Sequence, residues 1–181
     1  MKFDPTLLKG SYLIELSPIA DERGWFARTY CRDTFKKEIG HDKEWVQMNH
    51  SFTVNKGAVR GMHFQVSPYE EIKMVRCIAG AVFDVIVDLR TDSDTFLKWF
   101  GAELSAENKR MMYIPEGFAH GFQTLSENAE LVYNHTQNYQ PSAERGLLYN
   151  DPALNIEWPL AVTDVSQRDK NHPLIRSDFK F

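Results

Sequence analysis

Residues 72–89 read IKMVRCIAGAVFDVIVDL, and this stretch determines the fold class. It contains two runs rich in Val, Ile, Met and Phe, residues 72–78 and 81–89, on either side of Gly80. Short β-branched runs that flank a glycine predict two strands joined as a hairpin. Charges inside such apolar strands need either solvent or a partner. Three lie here: Lys73, Asp84 and Asp88.

Similar runs recur along the chain, and each is followed by Gly, Pro, Asn or Asp. They cover residues 45–54, 111–115, 121–125 and 131–137. Helix signals are scarce, because only residues 33–40 combine an N-cap, Asp33, with a C-terminal stop, Gly40. The sequence therefore predicts an all-β sandwich or barrel with a few short helices.

Apolar and polar residues alternate along the predicted strand at residues 45–54. A strand with this pattern packs through one face, while its other face presents amides and a hydroxyl, here to a cavity. The apolar set is Val46, Met48, Phe52 and Val54, and the polar set is Gln47, Asn49 and Ser51.

The composition is that of one globular domain, which we expect to span residues 1–181. Of these residues, 43% are hydrophobic and 25% are charged, enough for a single substantial core. The formal net charge is −4 and the basic residues are scattered, so neither nucleic acid nor an anionic membrane is an expected partner.

Targeting signals and paired cysteines are not evident in the sequence. The longest apolar stretch, around Asp84, is much shorter than a membrane span, and the first residues lack the apolar run of a signal peptide. A cytoplasmic protein is therefore expected. Cys31 and Cys77 have neither redox nor zinc-ribbon spacing and are expected to be free thiols.

The densest polar cluster lies between Arg60 and Gln65, in the sequence RGMHFQ. Strict strand alternation would put Arg60 and His63 on opposite faces. Both can serve one site only if the strand has a bulge or kink near Gly61. A lone histidine in a strand is more often a hydrogen-bonded core residue, so the context must decide its role.

A second cluster, PEGFAH at residues 115–120, completes a pair of motifs that resembles the cupin superfamily, whose fold is a double-stranded β-helix or jelly-roll barrel. Many cupins bind a divalent metal through a second histidine, but this chain has Gln65 at that position. A metal site would be left with His63, His120 and either Glu70 or Glu71, and amides are poor ligands for such metals. We therefore expect neither a metal nor another cofactor.

Ten ordered motifs between residues 9 and 175 resemble the dTDP-4-dehydrorhamnose 3,5-epimerase family, which acts on nucleotide-linked 4-keto sugars. They include DERGWF at residues 21–26, QMNHS at 47–51, KMVRC at 73–77 and SQRD at 166–169. This resemblance implies an isomerase that inverts C3 and C5 of a 4-keto-6-deoxy sugar by acid–base proton transfer. It covers nearly the whole chain.

The resemblance also assigns catalytic roles. It implies that His63 is the general base and that Asp169 is its carboxylate partner, although more than a hundred residues separate them. Tyr133 would be the acid on the opposite face of the sugar. Lys73 would lie beside the C4 oxygen, where an ammonium can stabilise an enolate.

Substrate contacts follow from the same resemblance. Arg60 and Arg23 would bind the diphosphate, for which a guanidinium fork is well suited. Phe26 would stack on the base, and Gln47 and Asn49 would face the nucleoside. Members of the family form homodimers in which the N-terminal strand of one subunit completes its neighbour's site, so Arg23 and Phe26 are expected to act in trans.

Two further residues of the matching motifs, His120 and Tyr139, are predicted to line the substrate site. Two positions depart from the family pattern, because Arg28 replaces a common Glu near the base and Asn134 replaces a common Lys after the tyrosine. Charge reversal at Arg28 leaves a CDP- or GDP-linked sugar as an alternative substrate.

Other readings of the motifs stay open at this point. They are an epimerase of C3 or C5 alone, a 3,4-ketoisomerase, a non-catalytic nucleotide-sugar-binding cupin and, last, a metal-dependent oxygenase. The combination of His63 with Tyr133 favours epimerisation, because inversion needs an acid opposite the base.

Overall fold

The computed structural model describes residues 1–176 and 179–181. In these residues it has fourteen short strands and two short helices. In chain order they are β1 (Lys2–Pro5), β2 (Tyr12–Glu15), β3 (Ile19–Asp21), β4 (Gly24–Phe26), α1 (Arg32–Ile39), β5 (Gln47–Thr53), β6 (Ala58–Gln65), β7 (Lys73–Ala79), β8 (Ala81–Asp88), β9 (Trp99–Ser105), β10 (Arg110–Ile114), β11 (Phe118–Thr124), β12 (Ala129–His135), β13 (Glu144–Gly146), β14 (Asp164–Val165) and α2 (Gln167–Lys170).

Two antiparallel sheets pack against each other and enclose the main core. One has the order β1-β2-β10-β7-β12-β5, and the other has the order β13-β6-β11-β8-β9 with β14 added in parallel to β6. Val75 and Leu131 from the first sheet and Ile86 and Phe122 from the second belong to one buried cluster. The predicted all-β fold of the cupin, jelly-roll type is confirmed, and the chain has only two short helices in its described part.

The predicted hairpin around Gly80 is wrong. β7 pairs with β10 and β12, whereas β8 pairs with β9 and β11, so the chain passes from one sheet to the other between them. Gly80 forms this corner with a φ of +69°, and a Cβ there would lie 2.3 Å from the Ser126 hydroxyl oxygen. The apolar sides of both strands face the shared core, which a hairpin within one sheet would not achieve.

A bulge near Gly61, which is needed if Arg60 and His63 serve one site, is present in β6. Arg60 is opposite Phe122 and His63 is opposite His120, so β6 has two intervening residues where β11 has one. The extra residue turns Arg60 and His63 toward the same cavity. Glycine is needed here, because a Cβ added at residue 61 would lie 2.6 Å from the Gly121 Cα.

Helix α1 begins earlier than predicted. Its N-cap is Cys31, which makes no side-chain capping hydrogen bond, and Asp33 lies in the first turn rather than at the cap. An acidic residue there interacts favourably with the positive end of the helix. Gly40 ends the helix in a left-handed conformation, as predicted.

Strand β5 lies at one edge of its sheet. Its polar face lies where it was expected, but its apolar face does not. Its polar side chains line the cavity as predicted. Its apolar side chains do not pack in the chain's own core, because they point away from the cavity into solvent; Met48 is 68% exposed and Phe52 is 53% exposed.

None of the described helices is both long and apolar enough to cross a membrane.

Candidate active site

A cavity of about 290 Å³ opens between the two sheets. Strands β5, β7 and β12 supply its wall on one sheet, and β6 and β11 supply the opposite wall. Eight of the residues predicted for the site line this cavity: Gln47, Asn49, Arg60, His63, Lys73, His120, Tyr133 and Tyr139.

Asp169 lies directly behind His63, as the family resemblance implied. The His63 Nε2 and the Asp169 Oδ1 are 2.7 Å apart, and the second carboxylate oxygen accepts a hydrogen bond from the Gly61 amide at 3.2 Å. Burial alone would raise the pKa of Asp169, but the hydrogen bond and charge of His63 outweigh it and lower that pKa. An ionised carboxylate at Nε2 keeps a proton on that nitrogen and leaves Nδ1 free to accept one.

Helix α2 brings Asp169 to this position. Ser166 caps the helix, and its hydroxyl accepts a hydrogen bond from the Asp169 amide at 3.0 Å. Strand β14 pairs with the first residues of β6 just before the helix, so the tail returns to the strand that bears His63. Residues far apart in sequence thus form one pair.

A second histidine–carboxylate pair lies beside the first on the same wall. His120 Nε2 is 2.7 Å from Asp84 Oδ1, and His120 is the cross-strand neighbour of His63. Both residues are buried, and the other Asp84 oxygen has no hydrogen-bond partner in the described part of the chain. This burial favours a supporting role for His120.

Tyr133 lies on the opposite wall, on β12. Its hydroxyl is 2.9 Å from the Ser51 hydroxyl. Burial raises the pKa of Tyr133 to about 12, although the Ser51 hydrogen bond opposes the shift. The phenol is therefore protonated at neutral pH and can donate a proton.

Lys73 is part of a buried ionic cluster on the same wall as Tyr133. Its ammonium is 3.0 Å from Glu71 Oε1, and the other Glu71 oxygen is 2.7 Å from His135 Nδ1. Burial alone would raise the pKa of Glu71, but the His135 hydrogen bond and the Lys73 charge outweigh it and lower that pKa. Glu71 is therefore a carboxylate at neutral pH.

Four of the donor groups considered for a metal, those of His63, Gln65, Glu71 and His120, have other partners. Gln65 is saturated by backbone, because its amide donates to the carbonyl groups of Tyr69 and Asn138 and accepts from the Gln140 amide. Glu71 pairs with Lys73 and His135, as described above. The described residues that lie close enough together for a metal are His63, Asp169 and His172, and the first two already form the hydrogen-bonded pair.

The far end of the cavity is lined by amides. Gln47 donates to Asn49 at 3.1 Å, and its carbonyl oxygen accepts from the Tyr139 amide at 3.0 Å. The Tyr139 hydroxyl donates to Glu144 at 2.5 Å. These groups offer hydrogen bonds to a polar ligand.

The family model for dTDP-4-dehydrorhamnose 3,5-epimerase matches residues 5–177. The chain belongs to this family. The matched residues include both cavity walls and the tail that carries Asp169, and therefore all the site residues described above.

Relatives and solved structures of this epimerase family agree with the match. The dTDP-4-dehydrorhamnose 3,5-epimerase of Shigella flexneri is 48% identical over 159 residues, which cover 88% of this chain and 87% of the relative. The crystal structure of the Elizabethkingia anophelis enzyme has a TM-score of 0.94 at 40% identity and covers 98% of each chain. The Legionella pneumophila dTDP-6-deoxy-D-glucose-3,5-epimerase, solved with dTDP-4-keto-L-rhamnose, has a TM-score of 0.91 at 40% identity, covering 96% of this chain and 92% of its own.

Of the three predicted residues that do not line the cavity, Asp169 lies behind His63, and the other two lie away from the site. Arg23 and Phe26 are on the β3–β4 ribbon, where Phe26 is 72% exposed and Arg23 pairs with Asp21 of the same ribbon. A single subunit does not bring them to His63. The two departures from the epimerase family pattern also lie outside the cavity lining, since Arg28 is exposed beyond the ribbon and Asn134 follows Tyr133 on the alternate face of β12.

Sequence reasoning missed several residues of the site. Glu71 was considered only as a metal ligand, and His135, Glu144 and His172 were not singled out. For His135 a signal was available, because it is two residues after Tyr133 and therefore on the same face of the strand. For His172 no local signal exists, since its position beside Asp169 depends on how the tail folds back.

Proposed function

We propose that this chain is an isomerase that inverts C3 and C5 of a dTDP-linked 4-keto-6-deoxy sugar, converting dTDP-4-dehydro-6-deoxyglucose to dTDP-4-dehydrorhamnose. The observation that carries the proposal is the His63–Asp169 pair on one wall of a cavity whose opposite wall holds the protonated Tyr133. Family membership supports the same reaction.

His63 begins the reaction by accepting a proton from the carbon next to the C4 ketone. The electrons of that C–H bond form a C–C double bond, and the C4 oxygen becomes an enolate. Asp169 stabilises the imidazolium that results, because its carboxylate already bonds Nε2. Every step is a proton transfer, so the chemistry requires no redox cofactor.

Lys73 stabilises the enolate through its ammonium. It lines the cavity on the wall opposite His63, and its side chain is only 12% exposed. A cation in such a poorly hydrated site interacts with a developing oxyanion more strongly than it would in water.

Tyr133 completes the inversion by giving its proton, directly or through a water that it orders, to the face opposite His63. Because the ketone acidifies both neighbouring carbons, the same base and acid invert C3 and C5 after the sugar changes its pose, once His63 has released its proton to water and Tyr133 has regained one from water. Each inversion leaves the sugar formula unchanged.

The remaining predicted residues bind the substrate. Arg60 lies at the cavity with its guanidinium held by the Phe52 carbonyl and the Thr53 hydroxyl, which suits a diphosphate contact. Gln47, Asn49 and Tyr139 face the nucleoside. His120 supports the sugar end of the wall through its pair with Asp84.

The working enzyme is a cytoplasmic homodimer with an exchanged N-terminal strand. The apolar face of β5 and the β3–β4 ribbon are both exposed in one chain, and each presents apolar side chains that a second copy would cover. Such a copy would place Arg23 and Phe26 at its neighbour's cavity, where they would contact the diphosphate and the base.

Incubation in D2O with dTDP-, CDP- and GDP-linked 4-keto-6-deoxy sugars tests the function, with C3 and C5 followed by proton NMR. The proposal predicts deuterium at both carbons and inversion of both for the dTDP sugar. Deuterium at one carbon only would indicate a single-site epimerase, and preference for CDP or GDP would contradict the dTDP-linked substrate. Binding without exchange of any sugar would indicate a non-catalytic protein.

A further inference from the structure

The Glu71–His135 pair is buried in the cavity wall and has no role in the reaction described above. Both side chains are 9% exposed. Burial of a carboxylate and an imidazole is costly unless their polar atoms are bonded. Here each of these polar atoms has a partner. The two partners outside the pair, Lys73 and Asn49, contact the substrate in the proposed function.

From Gln47 to Glu71, each group along this wall donates a hydrogen bond to the next. Gln47 donates to Asn49 Oδ1, so the Asn49 amide nitrogen is the group that faces His135 Nε2, at 3.2 Å. The His135 Nε2 must then accept from this NH2 group, so the ring proton lies on Nδ1, which donates it to Glu71 at 2.7 Å. Glu71 also accepts from the Lys73 ammonium.

We infer that Glu71 and His135 are positioning residues that fix the Lys73 ammonium and tie it to the nucleoside-binding amides. Asn49 and Lys73 lie on different strands, β5 and β7, and β12 with His135 lies between them in the sheet. This inference rests on the proposed role of Lys73 at the C4 oxygen.

The chemistry explains why a carboxylate is needed at residue 71. The Glu71 carboxylate lies between two donors, Lys73 Nζ and His135 Nδ1. A carboxylate accepts from both at once, whereas an amide has only one acceptor oxygen and would present its NH2 group to the other donor. Glu71→Gln therefore keeps the shape of the side chain and breaks its hydrogen bond to either Lys73 or His135.

His135 offers a matched pair of variants. Its ring stacks on Tyr133 at 6.2 Å between centroids with 24° between the planes. His135→Phe keeps an aromatic ring there and loses both hydrogen bonds. His135→Gln loses the ring and can still donate to Glu71 and accept from Asn49.

The experiment measures kcat and KM by C3 and C5 deuterium exchange, the Kd for dTDP and the melting temperature of each variant. Misplacing a reacting group costs rate rather than affinity, so Glu71→Gln should lower kcat about tenfold or more while KM and Kd change less than about threefold. His135→Phe should lower kcat about fivefold, and His135→Gln should stay within about twofold of wild type.

Glu38→Gln is the control, because Glu38 is 3.4 Å from Lys37 in a carboxylate–cation pair on the exposed surface of α1. It should leave kcat unchanged. The inference is wrong if Glu71→Gln folds and exchanges like wild type, or if His135→Phe is as active as His135→Gln. The second comparison decides the matter if Glu71→Gln does not fold.

Lys73→Met separates this inference from the proposed function. If Lys73→Met is impaired and Glu71→Gln is not, only the positioning role is lost. If Lys73→Met exchanges deuterium like wild type, the enolate role of Lys73 fails and the inference falls with it.

Discussion

At the scale of single residues, the two histidine–carboxylate pairs show that similar distances do not imply similar roles. His63–Asp169 and His120–Asp84 are both 2.7 Å long and lie side by side. The difference lies in access, because the His63 side chain is 30% exposed and that of His120 is 6% exposed. The first pair is therefore more accessible to a ligand in the cavity.

Tyr133→Phe separates removal of the proton from its return on the other face. Without the phenol, His63 can still take the proton and give it back, so deuterium exchange should fall less than about tenfold while inversion falls about 100-fold or more. NMR of the sugar in D2O distinguishes deuterated substrate from inverted product. Equal losses of exchange and inversion would show that Tyr133 is not the acid.

The prediction of these residues from sequence depended on the family resemblance. Period two alone placed Arg60 and His63 on opposite faces, and only the bulge at Gly61 reconciles them. No local pattern marks Asp169, because its meeting with His63 is made by the tail. Glu71 and His135 were missed because charges in a buried wall look like ordinary surface residues until the sheet order is known.

At the scale of elements, the bulge in β6 determines where the base lies. Gly61 has a φ of +116°. A Cβ added there would lie 2.6 Å from the Gly121 Cα and 2.8 Å from the His120 carbonyl oxygen. Neither backbone atom can move without shifting β11. The strand pair therefore requires glycine at this position.

Gly61→Ala should destabilise the fold by about 3 kcal/mol or more, because it combines an unfavourable φ with a backbone clash. Gly40→Ala is the matched control, since Gly40 also has a positive φ, +70°, but nothing lies within 4 Å of its Cβ position. It should cost only about 1 kcal/mol. Urea denaturation gives both values, and equal costs would contradict the role assigned to the bulge.

The loop after β8 is held by a buried carboxylate, Asp88. It accepts hydrogen bonds from Arg90, Ser93 and Thr95. Burial alone would raise the pKa of Asp88, but these hydrogen bonds outweigh it and lower the pKa to about 2. A carboxylate with a lowered pKa stabilises the fold above the unfolded pKa and loses that contribution as the pH falls through the folded value.

Asp88→Asn should therefore be less stable than wild type by a margin that depends on pH. The margin should shrink by about 2 kcal/mol between pH 5 and pH 2, because Asp88 becomes protonated in the folded state as well. Urea denaturation of both proteins at the two pH values measures it. A margin that is the same at both pH values would mean that Asp88 is not ionised in the folded protein.

The hairpin error at Gly80 shows the limit of element prediction. The strands that were predicted lie close to where they were expected, because apolar runs and the residues that end them are local signals, but β1, β2 and β9 were not predicted. Strand partners were not recovered, because residues 72–89 fit a hairpin and a corner between two sheets equally well. Only the need to bury both strands against one shared core selects the corner.

At the scale of the whole molecule, the apolar side chains of β5 are exposed in one chain and would be buried in the proposed dimer. Met48→Glu should weaken the proposed dimer about 100-fold or more, because it buries an unpaired charge in each half of a symmetric interface. Light scattering should then report a monomer, and dTDP binding should weaken, since Arg23 and Phe26 would no longer reach the cavity.

Leu174→Glu is the control for that variant, because Leu174 is also exposed, at 55%, but lies on the C-terminal segment. It should leave the mass in solution unchanged. A dimer that persists in Met48→Glu, or a wild-type protein that is monomeric at micromolar concentration, would contradict the assembly.

The most direct test of the account is the deuterium exchange rate of Asp169→Asn. The Gly61 amide would orient the new amide oxygen toward itself, so the NH2 group would donate to His63 Nε2 and move the ring proton to Nδ1, the atom that must accept the sugar's proton. Exchange at C3 and C5 should fall about 1,000-fold or more in a protein that still folds and binds dTDP. Exchange within tenfold of wild type would show that His63 is not the base.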